Sequence, residues 1–127
     1  MDKKILVESV RKFTDYLVET NGEVKLSLLL PNDESIDSTY YTFVISAEWL
    51  NNRGIREPIA YIFDKMIDLY NEEIYKYVSR VTVLNTNDPF VKDISFLEKV
   101  HNDIKPIYNI NVNGVEINYG VLFECIK

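Results

Sequence analysis

Thr39-Tyr-Tyr-Thr-Phe-Val-Ile45 and Arg80-Val-Thr-Val-Leu84 are two strand-like stretches separated by one long helical pattern, and reading them together decides the fold. Both are rich in the β-branched and aromatic residues that suit a pleated, half-buried surface. Between them Ile59, Ile62, Phe63, Met66, Tyr70, Ile74 and Tyr77 form a continuous apolar stripe. That spacing predicts an amphipathic helix beginning near Ile55, with Pro58 in its first turn. A strand, a helix and a strand in that order predict a crossover with the two strands parallel. Parallel strands bring both carboxyl-end loops, 46–54 and 85–89, to one edge of the sheet, where ligand sites in mixed sheets tend to lie. Tyr41, Phe43 and Ile45 alternate with Tyr40, Thr42 and Val44, and both faces become apolar toward Ile45. This is the pattern of a central strand covered on both sides.

Upstream, Leu6, Val10, Phe13 and Leu17, widened by Val7 and Val18, predict a helix over residues 2–20, closed by Asn21-Gly22. Val24, Leu26, Leu28 and Leu30 then alternate with Lys25 and Ser27, the period of a strand with one buried face. The acidic stretch Pro31 to Ser38 is expected to join it to residues 39–46 as an antiparallel hairpin. Downstream, Asn85-Thr-Asn-Asp-Pro89 is a helix start, with Asp88 as cap and Pro89 in the first turn. The helix it opens, about 88–101, is expected to bury Phe90, Ile94, Leu97 and Val100. Tyr108, Ile110 and Val112, then Val115, Ile117, Tyr119, Val121 and Phe123, alternate around Asn113-Gly114, the strongest short-range hairpin signal. The last strand is open to an edge or a central position. The predicted order is αββαβαββ: a single α+β domain over residues 1–127, with a mixed five-stranded sheet packed by three helices.

A chain of 127 residues with 46% apolar composition has enough material for one packed core. No apolar run approaches the roughly 20 residues of a membrane helix, and residues 1–20 carry charges at helical spacing rather than a secretory leader's apolar core. The one cysteine, Cys125, cannot form a disulfide within the chain, which points to a reducing cytoplasm. A net charge of −6 disfavours nucleic acid and anionic lipid and suits docking to a basic partner. The abundance of Ile, Asn, Lys and Tyr hints at an AT-rich bacterium or its phage. Arg11, Lys12, Arg53, Arg56 and Arg80 are scattered rather than interleaved with aromatics, a further argument against nucleic acid.

Two constellations are candidates for function. The first is the loop pair at the carboxyl edge. Ser46, Glu48, Trp49, Asn51, Asn52 and Arg53 face Asn85, Thr86, Asn87 and Asp88, giving an aromatic platform, a guanidinium and amides for a small polar ligand or nucleotide. The same residues are also ordinary turn, packing and cap chemistry. The second is the acidic row Asp64, Asp68 and Glu72, spaced by four on the outer face of the long helix, with Tyr61 and Tyr75 beside it as anchors. It is readable as a solvated helix face or as a docking surface for a basic partner. Lys65 and Lys76 partly offset its charge.

Chemistry-bearing residues are sparse. His101, the only histidine, stands near the end of the third helix beside Asp103, where a cation suits the helix dipole. Cys125 shares the apolar register of Val121 and Phe123 and reads as a small core residue. The four glycines are too dispersed for a phosphate-cradling loop, and no metal-ligand cluster stands out. The sequence therefore predicts a small acidic accessory protein of the immunity or inhibitor kind, acting by binding rather than catalysis, with no cofactor or metal. The alternative is a ligand-binding module, or a weakly marked enzyme, using loops 46–54 and 85–89. A homodimer paired through an exposed last strand is a further expectation.

Overall fold

The computed structural model describes residues 3–32 and 40–127. The elements follow the predicted order: α1 (Lys3–Asn21), β1 (Leu26–Pro31), β2 (Tyr41–Ser46), α2 (Arg56–Tyr70), β3 (Val78–Val83), α3 (Pro89–Leu97), β4 (Lys105–Val112) and β5 (Val115–Cys125). The chain is α+β, with a five-stranded sheet ordered β3-β2-β1-β5-β4. β2 and β3 are parallel, with Phe43 opposite Val81 and Ile45 opposite Val83. β1 and β2 are antiparallel, and the loop joining them falls, from Asp33 to Thr39, outside the described residues.

Helices cover both faces. Leu6, Val10, Phe13 and Leu17 of α1 and Ile62 and Met66 of α2 pack on Leu29, Phe43, Ile45, Val121 and Phe123. Val91 and Ile94 of α3 pack on Leu26, Leu28, Val44, Leu122 and Cys125 from the other side. β1 is consequently buried on both faces, not one; its single polar residue inside, Ser27, exchanges a 2.9 Å hydrogen bond with Thr14 of α1. β5 lies between β1 and β4, but β1 pairs only with its residues 121–125, and among the described residues 115–120 pair with β4 alone.

Local departures have local causes. Tyr70 leaves helical backbone (φ −141°, ψ 46°), and Asn71–Tyr75 forms a π-helical turn before β3. α3 stops at Leu97, shorter than expected: Leu97 is 48% exposed, and Val100 instead pairs with Cys125 through backbone bonds in both directions. Asn109, at φ 51°, reverses the side-chain alternation of β4, so that Ile110 and Val112 face the same side as Ile107. The hairpin tip thereby curls over α3, and Asp93 accepts a 2.5 Å bond from the Asn113 amide. The turn itself uses left-handed backbone at Asn113 (φ 51°) and Gly114 (φ 83°), as Asn-Gly hairpins require. Gly120 packs closely: a Cβ there would stand 2.9 Å from Leu30 Cδ2 and 3.4 Å from Leu28 Cδ1, so the Leu30 side chain would have to shift.

The departure with the largest consequence is a bulge between β1 and β5. Leu26 pairs with Cys125 and Ser27 with Glu124, but Leu28 pairs with Leu122. One extra residue, Phe123, lets two neighbouring side chains point to the same face. Phe123 and Glu124 therefore both turn toward α1, while Cys125 joins the α3 side. The sequence register that grouped Cys125 with Val121 and Phe123 is broken here. Cys125 is a core residue, on the opposite face.

Candidate functional site

The parallel pair brings the two edge loops together. Asn51 Nδ2 donates to Thr86 Oγ1 at 2.8 Å, and Asn51 Oδ1 accepts from the Thr86 amide at 3.2 Å. These bonds close the gap between the loops, and separate hollows lie to either side of it.

The first hollow, of about 110 Å³, lies beside Trp49, Arg53, Glu57 and Tyr61. Trp49 Nε1 donates to the carbonyls of Gly22 and Glu23 at 3.2 and 3.1 Å, and its ring meets Tyr61 edge-on at 6.1 Å. The Tyr61 hydroxyl accepts from Asn21 Nδ2 at 2.9 Å. Trp49 and Tyr61 thus lock the end of α1 to α2. Arg53 pairs with Glu57, 3.5 Å away.

The second hollow, of about 360 Å³, collects Glu48, Thr86 and Asn87 from the loops with Lys25, Lys92, Phe96 and Lys127 from outside them. Ser46 is fully buried at the end of β2, and its hydroxyl has no hydrogen-bond partner among the described residues. Asp88 caps α3, accepting from the Phe90 amide at 2.9 Å.

The acidic row is split by the π turn. Asp64 and Asp68 are exposed one above the other on α2, and neither has a cation within ion-pair distance among the described residues. Lys65 sits over the Tyr61 ring, 5.8 Å from its centre, turned away from that pair. Glu72 belongs to the π turn and pairs with Lys76 at 3.7 Å. Because Tyr70 breaks the helix, a spacing of four no longer stacks Glu72 under Asp68. Tyr75 is partly exposed and packs edge-on against Phe63 at 5.9 Å.

The most developed polar cluster was not among the sequence candidates. Glu124, 1% exposed, receives Arg11 Nη2 at 2.8 Å and the Asn102 amide at 2.9 Å on Oε2. Its Oε1 lies 2.8 Å from His101 Nδ1. Arg11 also donates to Asp15 at 2.7 Å, to the Asp103 carbonyl at 2.7 Å and to the Phe123 carbonyl. His101 therefore pairs with a buried carboxylate beyond the end of α3 rather than with the helix terminus. A glutamate inside the run Val121-Leu-Phe-Glu-Cys125 was the available signal, because a charge buried in an interior strand needs partners. Its partner Arg11 lies 113 residues away, beyond any local pattern.

Burial pushes the Cys125 thiol up to about 11, and its single S–H can be donated to either the Ile94 or the Glu98 carbonyl. No group of three or more metal-ligating side chains occurs among the described residues, and no helix is long and apolar enough to cross a membrane. No known protein family, curated protein or solved structure matches the chain.

Proposed function

We propose that the protein acts through binding rather than catalysis, docking a basic protein partner on the outer face of α2. The observation that carries this reading is the pair Asp64 and Asp68, exposed, uncompensated and flanked by the exposed apolar side chain of Ile67. Glu57, two turns before Asp64 and paired with Arg53, extends the same side. Two like charges four apart on a helix repel by a few tenths of a kcal/mol, a cost a cationic partner would remove. An apolar residue amid carboxylates adds area that such a partner would bury. Glu72 and Tyr75 would form the rim contributed by the π turn. An immunity or inhibitor role, masking a basic functional surface, fits this chemistry, as does a cytoplasmic setting in a bacterium or phage.

The test is affinity capture from the host with the wild type and with Asp64→Lys/Asp68→Lys, followed by mass spectrometry at low and high salt. The reading expects a basic protein held by the wild type, weakened by salt and lost from the variant. Identical capture by both chains would overturn it.

A further inference from the structure

We propose that the hollow between α3 and the carboxyl edge of β2 and β3 binds a small anionic ligand carrying an aromatic ring, of the nucleoside phosphate class. This goes beyond the partner reading, which concerns a different face of the molecule.

Four observations converge. The hollow measures about 360 Å³, within the range of small-ligand sites. Lys25, Lys92 and Lys127 line it against one acidic side chain, Glu48, in a chain whose acidic side chains outnumber its basic ones by 20 to 14. A concentration of positive charge in a protein of net charge −6 runs against its composition and favours anion capture. Among the described residues Lys92 and Lys127 have no ion-pair partner, and Lys25 has only Glu23, 3.8 Å away and largely exposed.

The third observation is Phe96, on the same wall and 77% exposed. A phenyl ring left in water gains by stacking on the face of a base, a contact that tolerates any base. The fourth is hydrogen-bonding capacity. Thr86 accepts from Asn51 and keeps its own hydroxyl proton to donate, and the Asn87 side-chain amide is unengaged among the described residues. Lysines for the phosphates, Phe96 for the ring and Asn87 for its edge make one complementary set. A nucleic-acid chain is the poorer occupant, because its flanking phosphates would meet the acidic remainder of the surface.

Isothermal titration with ATP, adenosine and inorganic phosphate tests this, using the full chain and the exposed-site variants Lys92→Glu and Phe96→Ala. Melting curves of the variants check that folding is intact. ATP is expected to bind more tightly than phosphate or adenosine alone. Lys92→Glu is expected to weaken ATP at least tenfold, and Phe96→Ala to weaken ATP severalfold while leaving phosphate unchanged. No ATP binding at about 1 mM, or ATP binding that both folded variants leave within twofold, overturns the proposal. Phosphate binding as tightly as ATP overturns it too, since the ring would then contribute nothing. Partner capture through α2 can fail or succeed independently of all these results.

Discussion

Carboxylates gather in two regions of this protein, and the regions obey opposite rules. Both carboxylate oxygens of Glu124 are bonded, the group is buried, and three segments (α1, β5 and the α3–β4 connection) meet on it. On α2, Asp64 and Asp68 stand in water beside each other with no cation in reach among the described residues. The first arrangement spends its charge on holding the chain together. The second leaves its charge available. A buried charge is costly unless paired, and an exposed one contributes little to stability either way. The lesson is that abundance of acid alone does not separate the two roles; whether each acid is satisfied does.

The contrast can be broken most directly at Glu124. Glu124→Ala strips Arg11 of its buried carboxylate and leaves it the half-exposed Asp15 and two carbonyls, so it should cost about 3 kcal/mol, the low end of the range for removing one partner of a buried pair. Denaturant titration reads this, and a loss below about 1 kcal/mol would mean the clasp does not bear on folding. The double change Arg11→Met/Glu124→Leu should cost markedly less than the single one, because neither charge is left alone. A double variant worse than the single would sink the desolvation argument.

Asp88 tests a carboxylate of intermediate kind, bonded but at a helix start: Asp88→Ala should lose about 1 kcal/mol. Asp64→Lys/Asp68→Lys should stay within about 0.5 kcal/mol of the wild type while changing what the surface captures.

Cys125, next to the clasp, supplies a pH check. Its thiol is held above its ordinary value of 9, up to about 11, chiefly by burial. The folded state therefore keeps a proton that the unfolded chain releases, so this contribution is intact below pH 9 and is lost as pH rises toward 11. Cys125→Val should flatten that alkaline decline. Native protein at pH 8 should react with iodoacetamide only at the rate of unfolding; rapid native alkylation would contradict the burial.

Much of this was legible in the chain. Alternation in residues 41–45, the stripe from Ile59 to Met66 and the Asn113-Gly114 turn act through neighbours, so local pattern carries them. Asp88 capped as its spacing predicted. What stayed hidden depends on distant pairing. The extra residue in β5 exists only relative to β1, so no periodicity within β5 reveals that Cys125 and Phe123 part company. The candidate loops were read as sharing one cavity, but Asn51 and Thr86 satisfy each other across the gap. Lys25 before β1, and Lys92 and Phe96 on α3, line the second hollow with the loop residues, and both segments lie outside the two loops.

The order of the strands has one last implication, for growth of the sheet. β4 closes one margin behind Lys105, Pro106 and the left-handed kink at Asn109, devices that discourage further pairing. β3 closes the other with Val78-Ser-Arg-Val-Thr-Val83, without proline or left-handed residues. Among the described residues β3 is thus the outer strand with no such device along its length, so an added strand, foreign or from a twin molecule, would meet less obstruction there than at β4.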